Sequence, residues 1–415
     1  MERLICLLGL IVFVAVAWAL SEKRRLFPWR VVLTGLALQF AFGLLILRTE
    51  AGSGFFVFLD KVFRRLLGFA DEGMGFVFGA ISKPALMSPV FGENNAANVA
   101  LIITGSIILV SALSALLYHY GVLQQIVKAA AWVMRRVMRT SGSETLAAAA
   151  NIFMGQTEAP LVIKPYLARM TRSELMCLMV GGMATIAGGV LAAYVSFGVS
   201  AGHLLTASVM SAPAAMMMAK ILLPETEESE TAHGAHRPIE RETVNGIDAL
   251  CHGAGDGMKL AINVLAMLIA FVAVVALANH LLSLGLRAFG QDIAQPLQLA
   301  LGWLNAPCAW LMGVPWEDCG KVGALLGERV VLNEFIAYLG LGAEIKSGGI
   351  APRSAEIATY ALCGFANFSS IAIQIGGIGA LAPERRGELA RLGLKAMLGG
   401  LLACYCTACV AGMLL

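Results

Sequence analysis

The sequence predicts an all-α polytopic membrane protein, with about eight transmembrane helices and two re-entrant hairpins that combine with broken helices as an inverted repeat. Three observations carry this. The chain of 415 residues is 58% hydrophobic and only 14% charged, with a mean hydropathy of +0.77, whereas soluble domains carry about a quarter charged residues. Long stretches without any charge recur along its length. Two further apolar segments are interrupted in the middle by polar residues and glycine, and each is followed by a span with a weakened centre.

The charge-free stretches run over 4–20, 31–47, 99–117, 175–199, 204–219, 260–278, 357–381 and 396–415. At about 1.5 Å per residue each can span a hydrocarbon core of about 30 Å. The first lacks a basic n-region, no small-residue cleavage site follows it, and Lys23, Arg24 and Arg25 come after it, so it reads as a retained helix and not as a signal peptide. Residues 55–67 mix Phe and Leu with Asp60, Lys61, Arg64 and Arg65, the pattern of an amphipathic helix lying in an interface.

A net charge of +3 leaves no nucleic-acid footprint. The basic residues instead read as topology signals. They gather over 23–30, over 128–139 with 164–172, at Lys220 with Arg237 and Arg241, and over 385–395. Placed in the cytoplasm by the positive-inside rule, they put both termini outside, and Lys346 and Arg353, which fall on the outer side, count against that scheme. Residues 223–257 hold the one long polar stretch, expected as a cytoplasmic, solvated linker, and His233 and His236 within it read as loop histidines. The nine cysteines fall mostly in apolar segments. They read as packing residues, including the Cys404, Cys406 and Cys409 cluster.

In 144–165 the apolar run is broken by Asn151, Gly155, Gln156, Thr157, Glu158 and Pro160, leaving pieces of about half a bilayer on either side. Basic residues flank both ends, so the segment should enter and leave on one side, with its polar tip at the midplane. Residues 320–342 repeat the theme around Asn333 and Glu334. The spans that follow read GGMATIAGG over 181–189 and CGFANFSS over 363–370. Glycine and small polar residues there weaken the helix and free backbone carbonyls to face a cavity. A hairpin plus a broken helix thus occurs twice, the plan that places a binding site between two inverted halves. The expected organisation is N-terminal scaffold helices over 1–120, a first repeat over 121–222, the linker over 223–257, a scaffold helix over 258–290 and a second repeat over 291–415.

Glu158 and Glu334 are the carboxylates deepest in apolar sequence. A charge at the bilayer centre costs about 2.5–3.5 kcal/mol, so each should face a polar cavity or a partner; the bland alternative makes both solvated caps on surface loops. Asn151, Thr185, Asn367, Ser369 and Ser370 would singly be helix-packing hydrogen bonders. Together they suit a neutral, hydroxyl-rich solute. No phosphate-binding loop is present, since Val322 follows Gly320 and Lys321 where Ser or Thr is needed. A membrane enzyme using the two carboxylates as acid and base, and a channel filtered by the broken helices, are the rival classes.

At GQTEAP (155–160), GGMATIAGG (181–189), NEF (333–335) and GFANFSS (364–370) the sequence resembles the concentrative nucleoside transporter family, and the resemblance extends over essentially the whole chain. It implies a bacterial inner-membrane homotrimer that is not an enzyme and that imports nucleosides with a coupling cation. Sodium is the expected ion, with a proton as the alternative, and uridine-like pyrimidine nucleosides are the expected substrates. It implies that Gln156, Thr157 and Glu158, with Val190, recognise the base. Glu334, Asn367 and Ser370 would hold the ribose and Phe365 would pack on the nucleoside. The side chains of Asn151 and Thr185 and the carbonyls of Met154 and Ile186 would hold sodium.

Overall fold

A computed structural model describes residues 2–91, 98–232, 243–288 and 290–415; His233, His236, Arg237, Glu240 and Arg241 of the expected linker lie outside the described residues. The described chain is helical throughout. Its helices are α1 (Glu2–Ala19), α2 (Trp29–Arg48), α3 (Glu50–Phe78), α4 (Pro84–Phe91), α5 (Val99–His119) and α6 (Val122–Met138). The first hairpin follows as α7 (Gly142–Asn151), α8 (Ala159–Val162) and α9 (Lys164–Leu167), then the broken pair α10 (Arg172–Ala184) and α11 (Gly188–Ser196), and α12 (Ala201–Leu222). After α13 (Gly246–Arg287) and α14 (Pro296–Leu311), the second hairpin is α15 (Trp316–Val331) with α16 (Glu334–Ser347). The broken pair α17 (Pro352–Leu362) and α18 (Phe368–Leu381) and the terminal α19 (Arg386–Leu414) complete the chain. Hairpin, broken helix and long helix therefore recur in the same order. Seven segments among the described residues are long and apolar enough to cross a membrane; the α17–α18 pair corresponds to the eighth expected span.

Local sequence explains where the elements start and stop. Ser141 with Glu144 and Thr171 with Glu174 form capping boxes, at the starts of α7 and α10. Pro160 and Pro165 each fall in a first helical turn, and they cut the second arm of the first hairpin into two short helices. Asn333 and Asn367 cap α16 and α18, accepting from the amides of Ile336 at 3.0 Å and Ser370 at 2.9 Å.

Packing divides the chain differently from the expected domains. Gly35 on α2 lies against Met217 and Pro213 of α12, and the Phe13 ring of α1 sits 5.3 Å from that of Tyr405 on α19. These two N-terminal helices thus belong with the hairpin-bearing body, whereas α5 packs on α13. The expected 1–120 unit is split because close-approach glycines, and not chain proximity, choose the partners. The linker also ends earlier than expected. Asn245 caps α13 by accepting from the Asp248 amide at 2.9 Å, and the glycine-rich run that reads as loop is helical because Gly253 and Gly257 sit directly on the backbone of α5.

The interfacial helix expected over 55–67 is part of the longer α3, and the charge-free run around α14 forms a helix the sequence pattern does not anticipate. Nor are residues 224–232 simply solvated. Glu225 accepts from Thr171 Oγ1 at 2.7 Å and pairs with Lys220 at 3.2 Å, and Lys220 pairs with the buried Glu144 at 2.7 Å. Ser229 Oγ donates to Glu174 at 2.5 Å, so this stretch is pinned to the bases of α7 and α10.

The two broken helices cross at their breaks. Gly364 has φ +116°, and a Cβ there would lie 2.5 Å from the Met183 carbonyl oxygen and 2.7 Å from the Ala184 carbonyl carbon. Only glycine satisfies both demands. Behind the crossing, a Cβ at Gly400 of α19 would meet Met183 at 2.8 Å. Gly364→Ala combines a strained backbone with a clash against backbone atoms. It should destabilise the protein by at least about 2 kcal/mol and lower the detergent-solution melting temperature, while Gly376→Ala, where a Cβ meets nothing within 4 Å, should melt close to wild type.

Candidate functional site

The site is built at the crossing from both hairpin tips. On the second hairpin, Glu334 is only 4% exposed. Its Oε1 accepts from Tyr194 Oη at 3.3 Å and its Oε2 accepts from Asn367 Nδ2 at 2.8 Å. The Asn367 Oδ1 accepts from the Ser370 amide at 2.9 Å and from Ser369 Oγ at 2.7 Å, so one asparagine both caps α18 and orients the carboxylate. Ser370 Oγ in turn accepts from Gln156 Nε2 on the first hairpin at 3.1 Å. Gln156 Oε1 accepts from Gln374 Nε2 at 3.1 Å, and the same Gln374 amide reaches the Met179 carbonyl on α10 at 3.0 Å. A continuous polar chain therefore runs from Tyr194 on α11 through Glu334, Asn367, Ser370 and Gln156 to Gln374. It joins the two hairpin tips through the second broken helix.

The backbone makes room for this chain. A Cβ at Gly182 would lie 2.8 Å from Gln374 Nε2 and 2.9 Å from Gln156 Cβ. Any larger residue on that turn of α10 would push the two amides apart. Thr157 packs against Gly377 of α18, and Glu158 accepts from the Gly155 amide at 3.2 Å. Both side chains are exposed at the tip. Val190 is buried on α11, and Phe365 lies half-buried in the α17–α18 break, where its carbonyl accepts from the Asn367 amide at 2.9 Å.

A second cluster sits where the first tip meets the α10–α11 break. Asn151, the last residue of α7, is 1% exposed, and both its side-chain polar atoms are buried without a hydrogen-bond partner. It lies over Gly181, where a Cβ would come within 2.8 Å of Nδ2. Thr185 Oγ1 donates to the Gly181 carbonyl at 2.9 Å from the other side. Met154 and Ile186 are buried in the same tip and break, and the Gly188 amide donates to the Phe153 carbonyl at 3.1 Å, which docks the tip on the break. A buried amide without partners costs about 1–3 kcal/mol per unsatisfied group. An oxygen-seeking cation beside Asn151 Oδ1 and the break removes part of that cost, and neutral oxygens of this kind suit a hard cation. No cluster of three His, Cys, Asp or Glu side chains placed to hold a metal occurs among the described residues.

Three residues at or beside the site, Gln374, Tyr194 and the buried Arg329, escape the sequence pattern. Gln374 stands four after Ser370 and Tyr194 four after Val190, spacings that place each on the same helix face as an expected site residue. That spacing was the available signal. The Tyr194 ring also stacks on Tyr338 with centroids 4.4 Å apart, which fixes its hydroxyl toward Glu334.

Comparison with known proteins agrees with this architecture. Family models for the Na+ dependent nucleoside transporter match residues 8–81 with its N-terminus and 203–412 with its C-terminus, and a nucleoside recognition (Gate) model matches 100–201. The uncharacterized transporter YutK of Bacillus subtilis is 43% identical over 408 residues, covering 98% of both chains. Sodium/nucleoside cotransporter 1 of Homo sapiens is 41% identical over 428 residues; this chain spans 64% of that longer relative. The solved structure of CNTnw in an inward-facing substrate-bound state superposes with a TM-score of 0.93 at 40% identity, covering 100% of this chain and 98% of that one. A CNTnw variant in an outward-facing state gives 0.95 at 39% identity with the same coverage. The chain therefore belongs to the Na+ dependent nucleoside transporter family, a family of membrane transporters and not of enzymes.

Proposed function

We propose that this protein imports nucleosides, pyrimidine nucleosides such as uridine first among them, by cotransport with one sodium ion. The observation that carries the reading is the polar chain from Gln156 to Glu334, which spans the gap between the two hairpin tips. A carboxylate accepts both hydroxyls of a vicinal diol, so Glu334, with Asn367 and Ser370 beside it, suits the ribose. A primary amide matches the donor and acceptor edge of a pyrimidine, so Gln156 suits the base, with Thr157, Glu158 and Val190 around it. Phe365 packs on the nucleoside from the break.

Sodium binds at Asn151, Thr185 and the carbonyls of Met154 and Ile186. It fixes the first tip on the break, and Gln156, five residues beyond Asn151, is fixed with it. Ion binding then organises the base site, which is the physical content of coupling. The loaded hairpins, broken helices and the α1, α2, α12 and α19 helices packed on them move as one body past α5 and α13, in an elevator-like step. The protein works as a homotrimer in a bacterial inner membrane with both termini periplasmic. One charge crossing about 100 mV releases about 2.3 kcal/mol, enough for several tens-fold accumulation at about 1.4 kcal/mol per decade.

The direct test is radiolabelled uridine uptake into proteoliposomes. An inward sodium gradient should drive accumulation, and accumulation under a proton gradient alone would contradict sodium coupling. Glu334→Gln replaces one acceptor of a charge-assisted pair, a loss of about 1.5–3 kcal/mol. Its uridine Kd should rise by about tenfold to a hundredfold, well beyond the effect of Val190→Ala; equal affinity in Glu334→Gln and wild type removes the ribose assignment. Asn151→Ala should abolish sodium stimulation of uptake, and an unchanged sodium dependence refutes the ion site.

A further inference from the structure

Arg329 has no accessible surface and takes no part in the polar chain. It stands in the last turn of α15, the first arm of the second hairpin. Its Nη1 donates to the Ala361 carbonyl, its Nη2 reaches Cys404 Sγ at 3.3 Å, and its Nε has no partner. None of the ion pairs among the described residues includes it. A buried guanidinium without a directly paired carboxylate is costly, so its retention needs a reason.

The Ala361 carbonyl belongs to the last turn of α17, just before the break. Helix C-termini present carbonyls without helical partners and a partial negative charge, and a cation there is favourable. The first repeat has the same construction. There the last residue of the hairpin's first arm, Asn151, lies against the last turn of α10 just before its break, but it offers a neutral amide with unpartnered atoms. The two helix ends are also neighbours: Cys404 Sγ lies 2.5 Å from the Cys363 carbonyl oxygen and 3.6 Å from that of Ala184. Equivalent helix ends thus flank one thiol, one meeting a guanidinium and the other a neutral amide whose polar atoms are buried without hydrogen-bond partners.

We propose that Arg329 is a tethered counterpart of the coupling ion, holding the second hairpin on its broken helix permanently as sodium holds the first reversibly. The inference rests on the ion site assigned above to Asn151 and Thr185. It makes Arg329 a positioning residue for Glu334, five residues further on across the tip, and a determinant of stoichiometry. Each repeat offers one such helix end, and with Arg329 built into the second, a second exchangeable ion has no helix end left to serve.

The test compares wild type, Arg329→Lys and Arg329→Ala in proteoliposomes. Sodium and uridine fluxes are read with two isotopes, alongside the sodium dependence of uptake and of melting temperature. Wild type and Arg329→Lys are expected to move one sodium per uridine with a Hill coefficient near one. Arg329→Ala is expected to need at least about tenfold more sodium for half-maximal uptake, with a Hill coefficient rising above one, and to regain uptake and melting temperature with millimolar guanidinium. Two sodium ions per uridine in wild type overturn the proposal even where Arg329→Ala fails to fold. So does a folded Arg329→Ala whose sodium dependence matches wild type, or one that neither sodium nor guanidinium restores. In each arm Asn151→Ala is run in parallel: if it retains sodium coupling, the ion site itself fails, and that failure is distinct from a failure of Arg329.

Discussion

A helix that stops and restarts inside a membrane strands amides and carbonyls where no water can serve them, and this constraint organises the whole protein. Two such breaks are packed against each other, with Gly364 seated on the Met183 and Ala184 backbone. Each break is serviced by a hairpin tip. Asn367 and Asn333 cap restarting helices, Thr185 returns a hydroxyl to the Gly181 carbonyl, and Arg329 and Cys404 meet the carbonyls that end α17. Groups that satisfy the backbone are thereby concentrated around the two breaks, and in the function proposed above the same groups hold the solute.

The economy of this arrangement shows in Asn367 and Gln156. Asn367 gives its oxygen to the Ser370 amide and the Ser369 hydroxyl and its nitrogen to Glu334, so the carboxylate is oriented by the same residue that permits the break. Gln156 divides its amide between Ser370 and Gln374, both on α18. The first tip is therefore read directly by the second repeat. In the proposed mechanism an ion that orders Asn151 and Met154 acts on Gln156 over a few residues of a short, docked turn, without any long-range pathway.

Much of this is legible in the sequence because membranes forbid unexplained polarity. Glu158, Glu334, Asn151 and Asn367 stand out within apolar runs, and the glycines of 181–189 mark where a helix weakens. The structure joins Glu334 to Asn367 in one cluster and sets Asn151 against Gly181 in another, while Glu158 is exposed and accepts from the Gly155 amide of its own tip. What escapes is what periodicity hides. Gln374 and Tyr194 sit within helices whose other residues are apolar, and only their four-residue offset from Ser370 and Val190 distinguishes them. Arg329 lies beside Glu328 in a helix with polar residues near both ends, so its complete burial depends on tertiary packing that no local pattern records. The partner of α2 and the early start of α13 likewise follow from glycines at Gly35, Gly253 and Gly257, whose significance lies in the surface opposite them.

If the two hairpin tips form one binding unit joined through Gln156 and Ser370, these side chains must be energetically coupled. A double-mutant cycle on uridine affinity, with Gln156→Ala, Ser370→Ala and the pair measured on folded protein, reads that coupling. Residues in one hydrogen-bonded network couple by about 0.5–3 kcal/mol. A coupling in that range is expected, with the pair losing less affinity than the two singles summed; losses that add to within about 0.3 kcal/mol would mean that the tips bind independently.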